Sequence, residues 1–231
     1  MTRRRISAKP ALSALLGALA LAALTACGGS SSPSASSMVV GEGSDRFPSE
    51  TLSDWASYAD QLSVVTVVDE SEIAPPSEVL ELGEGYVGRT LTLRIERTVW
   101  NRKGGPTARG TFRTTVQGWV LQEGVRRPFA VAGGPRLEVG ERYLTPLVRV
   151  TGNEWITLST GATLPLEGEV ATTAGVAGHP SPIGEAMRGK SVAEVGELLA
   201  ETPADPIAAK YAQLEPDERL KAVQREKGYT G

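Results

Sequence analysis

Gly184-Glu185-Ala186-Met187-Arg188-Gly189-Lys190-Ser191 satisfies the spacing GxxxxGK[ST]. In a loop of that kind, backbone amides cradle a polyphosphate, the lysine reaches its outer phosphates and the hydroxyl holds magnesium. Val64-Val65-Thr66-Val67-Val68-Asp69 even supplies an apolar run ending in an aspartate of the sort that organises the metal. Two features argue against phosphate chemistry. A buried strand must lead into such a loop, yet Gly178-His179-Pro180-Ser181-Pro182 stands there, and prolines remove ladder donors. The aspartate also precedes the loop, the reverse of the usual order. The same residues contain Ser191-Val192-Ala193-Glu194, a capping box that closes the start of a helix, and that reading is the one retained.

Other catalytic arrangements are thinly supplied. His179 is the single histidine, so a serine hydrolase would need it as base, with Ser159 or Ser181 as nucleophile; no G-x-S-x-G elbow occurs. One histidine and one cysteine are too few for a His/Cys metal cluster, and one cysteine builds no disulfide framework. No metal and no cofactor is expected. A carboxylate pair of the glycosidase type is set in space rather than along the chain, and no pair stands out. Asp205, Asp217 and Glu218 sit where helices should begin, a placement that favours acids through the helix dipole. With 24 basic and 27 acidic side chains, a formal charge of −3 and 40% apolar residues, the 231-residue chain has no basic nucleic-acid footprint and can build a core.

The clearest chemical signal is Cys27. Met1-Thr2-Arg3-Arg4-Arg5 with Lys9 is a positive start, Ala11 to Leu24 is an uncharged run rich in Ala and Leu, and Leu24-Thr25-Ala26-Cys27 follows. This order resembles a bacterial lipoprotein signal. The resemblance implies cleavage after Ala26 and a diacylglyceryl group on the Cys27 thiol. Cleavage would leave 20 of the 24 basic side chains against 27 acidic ones, a formal charge of −7. Acyl chains, not a basic patch, must then hold the membrane. Thr2-Arg3-Arg4-Arg5-Ile6 also loosely resembles a twin-arginine export signal, although Ser7 stands where a hydrophobe belongs.

The elements that would carry any site follow from the rest of the chain. Gly28 to Ser37 is Gly, Ser, Ala and one Pro, a flexible tether with an r.m.s. reach of about 16 to 19 Å, and Met38 to Pro48 is expected to extend it. Ser49 to Ala56 suits a short entry helix with Ser49 as its cap and Leu52, Trp55 and Ala56 on one face. Leu62 to Val68 reads as a strand buried on both faces. In Val87 to Val99, Val87, Leu91, Leu93, Ile95 and Val99 alternate with Thr90, Thr92, Arg94, Glu96 and Thr98. Phe112, Thr114, Val116 and Val120 continue a two-residue period. Pro128 to Val131, Tyr143 to Val150, Trp155 to Leu158 and Ala162 to Val170 are shorter candidates. Helical spacing returns at Val192, Val195, Leu198 and Leu199, then at Ile207, Tyr211 and Leu214, with Pro216 opening a last helix. Trp100 and Trp119 fall on outer phases, where they could stack a sugar or peptide; packing under the C-terminal helices would bury the same rings.

Ala59-Asp60 before Val64 to Val68, Leu91 to Trp100 running into Lys103-Gly104, and Leu137-Glu138-Val139-Gly140-Glu141-Arg142-Tyr143-Leu144 together resemble the OB-type small barrel and the netrin-like modules built on it. The proteinase inhibition of netrin-like modules requires a free N-terminal cysteine and disulfides, which an acylated, unpaired Cys27 cannot supply. The whole also resembles the uncharacterised lipoproteins of high-GC Gram-positive bacteria, a membership that implies no activity.

The expectation is a mainly β protein, a small antiparallel OB-like barrel or sandwich followed by a C-terminal helical appendage. Its parts are a signal peptide (1–26), a lipidated cysteine and tether (27–48), a β-rich domain (49–175) and a loop with helices (176–231). The expected function is a lipid-anchored, extracytoplasmic, non-catalytic binding or interaction module, held to the cell membrane through acylated Cys27. Its partner would be an envelope protein or cell-wall ligand rather than nucleic acid. The alternatives are a surface hydrolase using carboxylates and an envelope scaffold acting through its helical tail.

Overall fold

Nine strands form one mixed sheet in the order β1-β5-β4-β3-β2-β6-β8-β9, with β7 paired to β6. The strands are β1 (Val39–Gly41), β2 (Gln61–Glu72), β3 (Gly85–Asn101), β4 (Thr111–Gln122), β5 (Val125–Val131), β6 (Arg142–Thr151), β7 (Glu154–Thr157), β8 (Leu164–Glu167) and β9 (Val170–Ala171). Six helices complete the chain: α1 (Leu52–Tyr58), α2 (Ser77–Leu82), α3 (Pro182–Met187), α4 (Val192–Glu201), α5 (Pro206–Lys210) and α6 (Pro216–Glu226). This computed structural model describes residues 38–229; Cys27, the signal region and the tether proper lie outside the described residues.

The mainly β class and the helical appendage are as expected, but the barrel is not closed. Starting from β2, one direction runs through β3 to β4 and the other through β6 to β7. β4 and β7 approach one another without pairing. Nor is the sheet wholly antiparallel, because β1 pairs with β5 in parallel register, Val39 against Phe129.

β2 is central for the reason its composition suggests, with burial on both faces from Leu62 to Val67; Val68, expected to share it, is exposed. Leu62 and Val64 enter one core, with Trp55, Leu144, Leu158, Val195 and Leu199, beneath the helices. Val65 and Val67 enter a second, with Leu91, Leu93, Phe112, Leu147 and Trp155. A strand buried on both faces must be apolar in both phases. β3 and β4 show the expected alternation: Val87, Leu91 and Leu93 are buried, as are Phe112, Thr114 and Val120. The β4–β5 hairpin turns at Glu123-Gly124, both with positive φ (50° and 73°), as a two-residue primed turn requires.

Three boundaries differ from expectation. The segment 38–48 is not tether: β1 joins the sheet there, and Phe47 is buried in the helical core. The entry helix is capped by Thr51, not Ser49. The Thr51 hydroxyl accepts from Asp54 N at 3.1 Å while the Asp54 carboxylate accepts from Thr51 N at 2.9 Å. Ser49 is instead buried and donates to Asp45. Two short helices also occupy stretches assigned no helix, α2 and α3.

Candidate functional site

The open seam between β4 and β7 forms a cleft of about 560 Å³. Thr114 to Gln117 of β4 form one wall, Ile156 to Thr160 the other, and the segment Glu42 to Arg46 a third side. β5 pairs with β4 only at Trp119 to Gln122, and β7 pairs only with β6, so the seam is bounded by unpaired strand edges. Unpaired backbone donors and acceptors of this kind can receive an extended chain. Tyr86, about half exposed, stands at the mouth with its ring edge-on to Phe129, centroids 5.0 Å apart. Hydroxyl and amide side chains on the two strand walls, with an exposed aromatic and the charged Glu42, Asp45 and Arg46 on the third side, make a lining for a ligand rich in hydrogen-bonding groups, such as a glycan or a peptide backbone.

At its inner end the cleft narrows toward Arg89 and Arg136, through a space of about 40 Å³ bordered by Gln117, Thr157 and Thr160. Arg89 is fully buried; its guanidinium pairs with Glu70 and lies 3.9 Å from Glu138. Arg136 pairs with Glu138 and donates to Gly118 O at 3.3 Å. Burial, then the neighbouring Arg136 charge, holds Arg89 below its ordinary pKa. Gly118 allows this arrangement: a Cβ there would meet Arg89 Cγ at 3.2 Å and Val87 O at 3.1 Å. On the third side, the Asp45 carboxyl is pushed above its ordinary pKa by desolvation, against a lowering by the Ser49 and Ser159 hydroxyls. The residue stays solvent-accessible, so its effect on stability is small.

The sequence candidates are dispersed. His179 lies on an exposed loop. Ser159 accepts from Ala162 N at 2.9 Å, and Ser181 caps α3, accepting from Gly184 N at 3.1 Å and donating to Gly161 O at 2.6 Å. Each serine therefore has a structural role in a turn or a cap. Of the tryptophans, Trp55 and Trp155 are core, and Trp100 packs against the helical core. Trp119 is engaged by two guanidiniums, Arg126 at 3.7 Å and Arg136 at 5.5 Å from its ring centre. Tyr86 and Phe129, which frame the cleft, were not singled out by any spacing.

The GxxxxGK[ST] match does not form a phosphate loop. Gly184 to Met187 belong to α3, and Gly189 turns the chain with φ 80° into α4. Ser191 Oγ accepts from Glu194 N at 3.2 Å and donates to the Glu194 carboxylate at 2.7 Å, the expected capping box. The Ser191 hydroxyl, then its backbone amide, holds Glu194 below its ordinary pKa. A lowered carboxylate pKa gives stability that is present above the unfolded value and lost as pH falls into the acid range. Ser191→Ala should cost about 1 kcal/mol in urea denaturation, and Glu194→Gln should flatten the acid limb of stability against pH. An unchanged midpoint in Ser191→Ala would contradict the cap.

No helix among the described residues is long and apolar enough to cross a membrane. Among the described residues, no three His, Cys, Asp or Glu side chains gather as a metal-ligand set. No protein-family model matches the chain, and a search of curated proteins finds no match.

Proposed function

We propose that the protein is a lipid-anchored binding module on the extracytoplasmic face of the cell membrane, which presents the β4–β7 cleft to a cell-wall glycan or peptide. The observation that carries the anchoring is the order of charge, apolar run, small residues and Cys27, with no second cysteine in the chain. The Gly/Ser tether that follows would lift the folded part off the head groups. The cleft supports binding because unpaired edges, hydroxyl side chains and the Tyr86 ring converge there.

Partition into the detergent phase on clouding of a non-ionic detergent, together with removal from intact protoplasts by added protease, tests the placement. Recovery in the aqueous phase, or full protection from protease, would refute it. For the cleft, soluble muropeptides and oligosaccharides at about a hundredfold excess over Kd should contribute ~2.7 kcal/mol and raise the melting point by several degrees. Tyr86→Ala should remove most of that rise without altering the unliganded melting point, since the ring is half exposed. A shift that persists in Tyr86→Ala would move the ligand elsewhere.

A further inference from the structure

On a separate part of the surface, the β3–β4 loop, β6 and the start of α6 enclose a second cleft of about 420 Å³. Four cations border it: Arg102, Lys103, Arg149 and Arg219. Two acids oppose them, Asp60 and Glu215. The excess is therefore two positive charges.

The acids are already committed. Asp60 is buried, pairs with Arg102 through one carboxylate oxygen and accepts from Arg149 N at 2.9 Å through the other. Glu215 is exposed and touches Arg149 only at 3.4 Å. The acids of the first α6 turn are engaged elsewhere, Asp217 with Arg46 and Glu218 with Lys221. Arg219 is 1% exposed and donates to the carbonyls of Ser57 at 2.7 Å and of Ala212 and Leu214 at 3.1 Å, while its Nε has no partner. Gathering cations with so few counter-charges is costly unless an anion joins them. Burial, then the Arg102 charge, lowers the Arg219 pKa to about 10, as an undercompensated cluster should. The N-terminus of the eleven-residue α6 adds positive potential at the same border, for Glu215 at its N-cap makes no side-chain capping bond.

We propose that this cleft binds a phosphate group. Arginine forks match phosphate oxygens two at a time, and the dianion would balance the excess charge. Arg102 and Arg219 are held by carbonyls and Asp60 and so shape the floor. Lys103, which is exposed, and Arg149, loosely held by Glu215, would close on the anion.

Titration calorimetry of the full-length protein in non-ionic detergent at about 0.1 M chloride, where diffuse attraction is screened beyond ~10 Å, tests this. The probes are inorganic phosphate, pyrophosphate and glycerophosphoglycerol, the deacylated head group of an anionic phospholipid. The expected result is saturation at one equivalent, with Lys103→Gln and Arg149→Gln each weakening binding about tenfold and leaving the melting point in place. Preference for inorganic phosphate or pyrophosphate assigns a free or small-molecule phosphate, and preference for glycerophosphoglycerol a lipid head group; both support the site. Absence of saturable binding with all three probes, or binding that both variants leave within about twofold of the parent, overturns it.

Discussion

Replacing Cys27 with serine should abolish incorporation of labelled palmitate and leave Met1 to Ala26 attached. The chain has no other cysteine to take the label. The difference lies in one atom. A thiol reaches its reactive thiolate near neutral pH, with an ordinary pKa of about 8.5, whereas a serine hydroxyl is a weak nucleophile without a base beside it. Two acyl chains stabilise attachment by about 0.8 kcal/mol per buried CH₂, where a single myristoyl chain holds only marginally. The formal charge of −7 that cleavage after Ala26 would leave offers no electrostatic substitute against anionic lipid. Mass spectrometry of the purified N-terminus reads both outcomes at once. Labelling that survives Cys27→Ser, or a parent protein that begins before residue 27, would remove the anchor from the proposed function.

Trp55→Ala should destabilise the fold by about 4 kcal/mol and lower the melting point by roughly 8 to 16 °C. Trp55 is wholly buried in the core beneath the helices and is the largest fully buried side chain there. Its indole Nε1 donates to Ser49 O at 2.9 Å, which ties α1 to the chain entering it. Alanine removes the ring and leaves that carbonyl without its partner, so a cavity and a lost hydrogen bond add. Trp55→Phe separates the two, keeping most of the volume and losing only the bond. It should fall between parent and Trp55→Ala. If Trp55→Ala melted within about 3 °C of the parent, well below the shift such a cavity gives, the packing of α1 against α4 would not hold the domain together.

The parts of this fold that were legible are those where local pattern and tertiary context agree. Leu62 to Val68, the alternation from Val87, and the Ser191–Glu194 box each fix their own surroundings. The segment 38–48 was not legible, because the three residues of β1, the last of them Gly41, carry no periodicity and only pairing with β5 orders them. The helix α2 buries none of its residues, so nothing in its pattern could announce a face. Both clefts escaped for a sharper reason. Charged residues are read as surface by type, yet Arg89 sits in phase with Val87 and Leu91 along β3, and Arg219 lies one helical turn from Val223. The phase was the available signal, and it outranks residue type wherever a long side chain can carry its charge to a partner. The open seam is set by which strand ends meet across the sheet, information that no window along the chain contains.

The parallel β1–β5 pairing bears on mechanics. In a protein held at Cys27, tension would enter the folded part through its first strand, at the sheet edge, with three paired residues. Those few bonds would yield before Phe47, which is locked in the helical core. Release of residues 38–46 would lengthen the leash by about 30 Å while leaving the rest of the domain folded. The same segment forms one side of the β4–β7 cleft. With the anchor proposed at Cys27, a pull on the chain would therefore loosen one side of that cleft, coupling ligand retention to tension.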